Sequence, residues 1–274
     1  MHKNVVYSQL PEQILFADIY VPPGKGPFPG ILVIHGGGWC RGKRTEMNGI
    51  AKRFAKCGYV SVNIDYRLAP RFVFPAQIHD CKKAVRWMRE NAKLYQIDPD
   101  RIGVFGYSAG AHLAALLGTT GLANGLEGEL SATSSRVQAV AAGAGPMNLM
   151  KYPQSELIVQ FLHATIQGNP EIFRQASPIA SVSKDNPPMF LYHGRWDRIV
   201  HISHTLDFKA ALDRAGVPAE LYLIWGLGHI PVFLFSRSAI TRSIRFFDQY
   251  LKNLPFPTVQ QQKFDKLNIN DYNS

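Results

Sequence analysis

The sequence predicts an α/β fold with a mostly parallel central sheet and helices on both faces. Three observations carry that prediction. Short β-rich runs alternate with helix-patterned segments along nearly the whole chain, the order that winds a parallel sheet. Ile31-Leu32-Val33-Ile34 is apolar at every position, as a strand covered on both faces must be. Gly and Pro punctuate the joints between these runs.

Taken in order, Ile14 to Tyr20 alternates like a strand and stops at Pro22-Pro23-Gly24. Ile31 to Ile34 is the next strand. Met47 to Cys57 has helical spacing, with Ile50, Phe54 and Cys57 on one face and Gly58 as its stop. Val60 to Ile64 reads as a strand. Ile78 to Tyr95 reads as a helix through Ile78, Cys81, Val85 and Met88. Arg101 to Phe105 is a short buried strand, and Ala111 to Leu117 the helix after it. Val137 to Ala142, Pro188 to Tyr192 and Glu220 to Trp225 are three further strands. Phe208 to Arg214 and Ser236 to Leu251 are helices, and the polar tail from Gln260 is expected to be loosely ordered. The stretch from Asn148 to Lys184 is the main irregular insertion and the candidate for a small helical cap, about 148–185. No internal repeat or linker divides the chain, so one domain is expected over residues 1–274.

Composition bounds the function. The chain has 274 residues, 46% hydrophobic and 18% charged, which suits an ordinary globular domain rather than a disordered one. No apolar run reaches membrane-span length, and Met1 to Val6 lacks the apolar core of a signal peptide. Cys40, Cys57 and Cys81 are odd in number and have no metal-ligand spacing, so free thiols in a reducing cytoplasm are expected. The formal charge is +10, and many of the cations lie between Arg41 and Arg101. Solvated faces of two amphipathic helices account for them first. Peripheral attraction to an anionic surface is the sharper alternative. No nucleic-acid motif accompanies the charge, so nucleic acid is not expected as a partner.

The chemistry is concentrated in Gly106-Tyr107-Ser108-Ala109-Gly110, between the strand ending at Phe105 and the helix from Ala111. It fits G-x-S-x-G, a crowded turn in which a Cβ at either glycine would clash. A serine hydroxyl is a poor nucleophile until a base takes its proton. The turn therefore predicts a histidine, a carboxylate that orients it, and donors for an oxyanion. In this arrangement the order is Ser, acid, His. Asp197 follows the strand ending at Tyr192, and His229 follows the strand ending near Trp225. Both stand at C-terminal strand ends, where open α/β sheets carry their sites. Ser108, Asp197 and His229 are thus the predicted triad.

His35-Gly36-Gly37-Gly38-Trp39 follows the strand Ile31 to Ile34 as an oxyanion loop should. Gly37, Gly38 and Ala109 are the expected amide donors. Trp39, Tyr107 and the insertion around Phe161-Leu162 are expected to wall the substrate pocket. Rival acids are Asp207 in a helix, and Asp98 and Asp100 ahead of the nucleophile strand; rival bases are His201 and His204. His35 is expected to hold its loop, and His112 to pack within its helix. His201 and His204 have i, i+3 spacing but no supporting carboxylate motif, so no metal is expected. Gly37 to Arg44 nearly matches a phosphate loop, yet Arg44 stands where a Mg²⁺-binding hydroxyl is required. No cofactor is implied.

On these motifs the chain resembles the α/β-hydrolases, closest to the hormone-sensitive-lipase-like and carboxylesterase families. Asp65-Tyr66-Arg67-Leu68-Ala69-Pro70, Phe74-Pro75-Ala76 and Asp80 are similar to a stretch typical of those families. The resemblance runs from about Leu15 to Leu251. It departs from the lipase pattern at Tyr107 before the serine, at Ala111 after the second glycine, and at His201, where proline is common. The departures tilt it towards small esterases and HGGxW formamidases. The resemblance implies an α/β-hydrolase fold and a serine hydrolase of small-molecule, short-chain carboxylic esters. Cleavage of an aryl formamide, as in kynurenine formamidase, or of acetyl groups on a carbohydrate are its alternatives. A non-catalytic binding module on the same scaffold is the remaining one.

Overall fold

The computed structural model describes residues 1–121, 124–129, 131–235 and 237–253. Its eight-stranded sheet has the order β1-β2-β4-β3-β5-β6-β7-β8. These are β1 His2–Gln9, β2 Ile14–Tyr20, β3 Phe28–Ile34, β4 Val60–Ile64, β5 Ile97–Tyr107, β6 Ala139–Gly143, β7 Met189–Gly194 and β8 Ala219–Ile224. β1 pairs antiparallel with β2, and β2 with β4; every other pairing is parallel. The expected mostly parallel sheet is therefore the one present.

Alternation along each strand divides the core into two layers. Leu32, Ile34 and Val104 face one side with Ile78, Cys81, Val85 and Met88 of α2 (Ala76–Glu90) and Leu113 of α4 (Ala109–Thr119). Ile31, Val33 and Phe105 face the other, against Phe54 of α1 (Asn48–Lys56). After α2 comes the single turn α3 (Ala92–Tyr95). Short helices α5 (Glu156–Leu162) and α6 (Pro170–Gln175) lie between β6 and β7, within the expected cap. α7 (Ser203–Arg214), α8 (His229–Phe235) and α9 (Arg237–Lys252) complete the chain as described, and Phe247 of α9 joins Phe54 in the second layer. The closing helix expected from Ser236 starts here at Arg237; Ser236 itself and the tail from Gln260 lie outside the described residues.

Several elements escaped the sequence reading. β1 is an edge strand whose outward positions His2, Lys3 and Asn4 are polar and exposed, so it shows little apolar pattern. α5, α6 and α8 span only six or seven residues, too few to display a period. Asp98 and Asp100 prove to lie inside the long β5, at its far end from Ser108, rather than ahead of it.

The expectation that the basic stretch is a solvated helix face needs correction at two positions. Lys82 and Arg86 of α2 are buried. Lys82 Nζ lies 2.5 Å from Glu127 Oε1, and Arg86 pairs with the other carboxylate oxygen. Glu127 comes from the loop after α4, and this pairing fastens that loop over α2. Arg44 likewise pairs with Asp18 and Asp65. Much of the basic run is thus satisfied internally.

The strand order also places the site. β3 runs to β4 on one side, whereas β5 and all later strands add on the other. The order reverses between β3 and β5, which opens a crevice at their C-terminal ends. Ile34 of β3 stands opposite Gly106 of β5. The His35 loop and the Ser108 turn therefore leave the sheet side by side.

Candidate active site

Ser108 sits at φ 56°, ψ −123°, a backbone conformation that a non-glycine residue adopts only under surrounding constraint. The constraints are visible. Its N–H donates to Gly143 O of β6 at 2.8 Å, and its carbonyl accepts from His112 N at 3.0 Å. A Cβ on Gly106 would stand 2.1 Å from Gly110 O, and one on Gly110 would stand 2.3 Å from Ile34 O. Both glycines are required because backbone approaches backbone here. The chain then enters α4 and leaves the Ser108 side chain at the crevice.

Ser108 Oγ lies 2.9 Å from His229 Nε2. His229 Nδ1 lies 2.7 Å from Asp197 Oδ2. Asp197 Oδ1 accepts the Ile199 and Val200 N–H groups, each at 2.9 Å. A further residue, unforeseen from sequence, completes this shell. His193, fully buried at the end of β7, brings Nε2 to 3.1 Å from Asp197 Oδ2 and 2.8 Å from Val200 O. Its Nδ1 lies 2.6 Å from Thr205 Oγ1, so the hydroxyl donates and Nε2 carries the proton. A histidine four residues before the acid, closing an apolar strand, was the available signal. Burial alone would raise the Asp197 carboxyl, but hydrogen bonds from His193 and then His229 outweigh it. They hold Asp197 well below the ordinary carboxylate range.

The rival groups stand elsewhere. Asp207 of α7 pairs with Lys151. His204 is buried, accepts from Asn148 N at 3.3 Å and packs its ring tilted against Tyr152. His201 is exposed just before α7. No group of three metal-capable side chains converges among the described residues.

Gly37, Gly38 and Ala109 line one cavity of about 320 Å³ with Ser108 and His229. Among the described residues, none of these three amides is paired with a protein acceptor. Gly37 has φ +107°, and a Cβ there would stand 2.1 Å from Arg41 O, so the turn excludes any side chain. A Cβ on Gly36 would stand 3.0 Å from Tyr107 O, which shows how closely this loop rides on the serine turn. His35 braces the loop through Gly36 O at 2.7 Å and stacks on Tyr66, whose hydroxyl donates to His35 O. Arg67 grips the buried Asp80 with its guanidinium and its backbone N–H, and Ala69 N donates to Trp39 O. The Asp65 to Pro70 stretch is thus the underside of the glycine loop.

Trp39 and Tyr107 both line the cavity, and each has its polar atom committed to the protein. Tyr107 Oη donates to His229 O at 2.5 Å. Trp39 Nε1 donates to His112 Nδ1 at 3.2 Å, and His112 Nε2 donates to Ala176 O at 2.6 Å. Phe161 and Leu162 do not form the cavity wall. The wall comes from Leu157 and Ile158, one turn earlier on α5, because Phe161 is wedged behind Trp39 at a ring separation of 4.4 Å. Met47, Ile230 and Phe233 complete an apolar lining with Arg41 and Glu46 at its charged edge.

The buried His112 has a consequence for stability. Burial lowers its pKa from the ordinary 6.5 to about 4, against the opposing effect of the Ala176 carbonyl. The unfolded chain then binds a proton that the folded chain refuses. Stability is complete above about pH 6.5 and falls as pH drops towards 4, by up to about 1.4 kcal/mol per pH unit from this residue. His204, lowered to about 4 by burial first and Lys151 second, acts with the same sign. Guanidinium unfolding at pH 7 and pH 5 measures this, and equal midpoints would contradict it.

Comparison with known proteins agrees with this architecture. The BD-FAE family model matches residues 17–212. The esterase LipQ of Mycobacterium tuberculosis is 35% identical over 75% of this chain and 51% of its own length. The esterase LipC of the same organism is 32% identical over 83% and 59%. The chain therefore spans a little over half the length of these curated relatives. A truncated carbohydrate esterase from gut microbiota superposes with a TM-score of 0.82 at 29% identity, over 92% of this chain and 96% of that one. A thermophilic esterase of Thermogutta terrifontis gives 0.76 at 25% identity, over 93% and 92%. With its family match covering most of the chain and its sheet superposing on solved esterases, this chain belongs to the BD-FAE family and has the α/β-hydrolase fold.

Proposed function

We propose that this chain is a serine esterase that cleaves short-chain carboxylic esters through Ser108, His229 and Asp197. The hydrogen-bonded run from Ser108 Oγ through His229 to Asp197, opening onto three unpaired amides, is the observation that carries the reading. Ser108 Oγ attacks the ester carbonyl while His229 Nε2 takes its proton. The carbonyl oxygen becomes an oxyanion held by the Gly37, Gly38 and Ala109 N–H groups. His229 returns the proton to the departing alcohol. Water, deprotonated by the same imidazole, then hydrolyses the acyl-enzyme and frees the acid and Ser108. Asp197 holds the tautomer and stabilises the imidazolium. Trp39 and Tyr107 shape the cavity wall as rigid surfaces. Esterase relatives and solved esterases of the same fold support this reading.

The 320 Å³ cavity and its apolar lining favour short acyl groups. Hydrolysis of p-nitrophenyl esters from acetate to palmitate tests this, with turnover expected to peak at the short end. A maximum at palmitate would contradict it. The likeness to a carbohydrate esterase favours a second reading, removal of acetyl groups from a sugar. An acetylated oligosaccharide and an aryl formamide in the same assay decide between these substrates.

A further inference from the structure

The strongest feature outside the catalytic groups surrounds the mouth of the cavity. Trp196, Ile199, Trp225, Ile230, Leu234 and Phe235 are each between 54% and 70% exposed. They come from three neighbouring pieces of chain: the loop after β7, the loop after β8, and α8. The two loops are tied together, since Arg195 N donates to Ile224 O and Trp196 N to Leu227 O. Ile199 and Ile230 also line the cavity, so the apolar surface continues from its wall to the outside. Ile230 and Leu234 share one face of α8 at i, i+4 spacing. An exposed apolar surface of this extent beside a site marks an interaction surface rather than ordinary scatter.

The exposed charge on the loop that carries Trp196 and Ile199 is basic. Arg195 and Arg198 are exposed on the first loop, whose only acid, Asp197, is buried under His229. Arg195 Cζ stands 3.9 Å over the Trp225 ring. Arg195 and Arg198 thus stand beside Trp196, Ile199 and Trp225. The exposed acid Glu46 stands with Arg41 at the glycine-loop side of the cavity, and Glu156 lies on α5.

We infer that this face docks onto an anionic lipid bilayer, with the cavity mouth turned towards the lipid. Indole and phenyl tips reach the headgroup–acyl boundary, while arginines at their bases pair with anionic headgroups. A second copy of the chain is a poor occupant, because it would set arginine against arginine between two chains of charge +10. An ester dissolved in the bilayer would then reach Ser108 without crossing water. The inference goes beyond ester cleavage and does not depend on which ester is cleaved.

The Ser108→Ala chain is mixed with vesicles of phosphatidylcholine alone, or of phosphatidylcholine with phosphatidylglycerol, and sedimented. Binding to the phosphatidylglycerol vesicles is expected, with a blue shift of tryptophan emission and release by salt. Trp225→Ser with Phe235→Ser, both outside the cavity lining, is expected to reduce vesicle binding by about tenfold or more. The same pair in the Ser108 chain leaves hydrolysis of a water-soluble ester intact, so docking and esterolysis are read separately. Absence of binding at low salt overturns the inference. So does binding unaffected by the double substitution. A dimer in lipid-free solution that the double substitution abolishes also overturns it, since the face would then be a protein interface.

Discussion

Ser108→Ala is expected to lower ester hydrolysis by about 10⁵-fold or more and to leave the fold intact. The two halves of that expectation have separate grounds. The contacts that hold residue 108 in its left-handed conformation are backbone ones, to Gly143 O and from His112 N, and alanine keeps both. Serine already places a Cβ there, so alanine adds no clash. What disappears is the nucleophile and the partner of His229 Nε2. Any remaining acceleration would come from the amide donors and from binding alone. Circular dichroism and thermal unfolding check the fold, and a p-nitrophenyl acetate assay checks the activity. Turnover within tenfold of the parent would remove Ser108 from the mechanism. Labelling by a fluorophosphonate, expected for the parent and absent in the variant, reports the activated serine independently of the substrate chosen.

The second large effect is expected from Asp197→Asn, a loss of about 10⁴-fold in kcat with a small change in KM. Asp197 Oδ2 receives His229 Nδ1–H and also faces His193 Nε2. An asparagine keeps an oxygen on one side only, so an NH₂ group faces either the Ile199 and Val200 N–H groups or the two histidines. If that group faces His229, the imidazole turns to the tautomer that carries its proton on Nε2. It then donates towards Ser108 and accepts no proton from it. The negative charge that stabilises the imidazolium is lost in the same substitution. Fluorophosphonate labelling of Ser108 should slow in parallel with kcat, because both need the serine proton removed. A tenfold loss or less would mean that Asp197 only packs the loop.

The fold was legible wherever local chemistry is strict. The alternation of Ile31 to Ile34 between two helical layers, the spacing of Ile78, Cys81, Val85 and Met88, and the glycines around Ser108 all express short-range rules. Elements whose stability comes from distant partners were illegible. β1 is anchored by Tyr7, whose hydroxyl donates to Asp65 O, and α5 by the packing of Phe161 behind Trp39. Lys82 and Arg86 looked like any solvated cations, and only the return of the chain at Glu127 made burying them tolerable.

The candidate site divides in the same way. By itself the sequence determined a parallel α/β sheet and the strand ends from which Ser108, Asp197 and His229 project. It also determined the glycine loop beside them, because turn geometry and strand patterning are encoded within a few residues. Only the tertiary structure decided that His193 supports Asp197, that Leu157 and Ile158 rather than Phe161 wall the cavity, and that the exposed tryptophans gather at its mouth. Each of these depends on residues far apart in the chain meeting where the strand order reverses, and no local pattern records such a meeting.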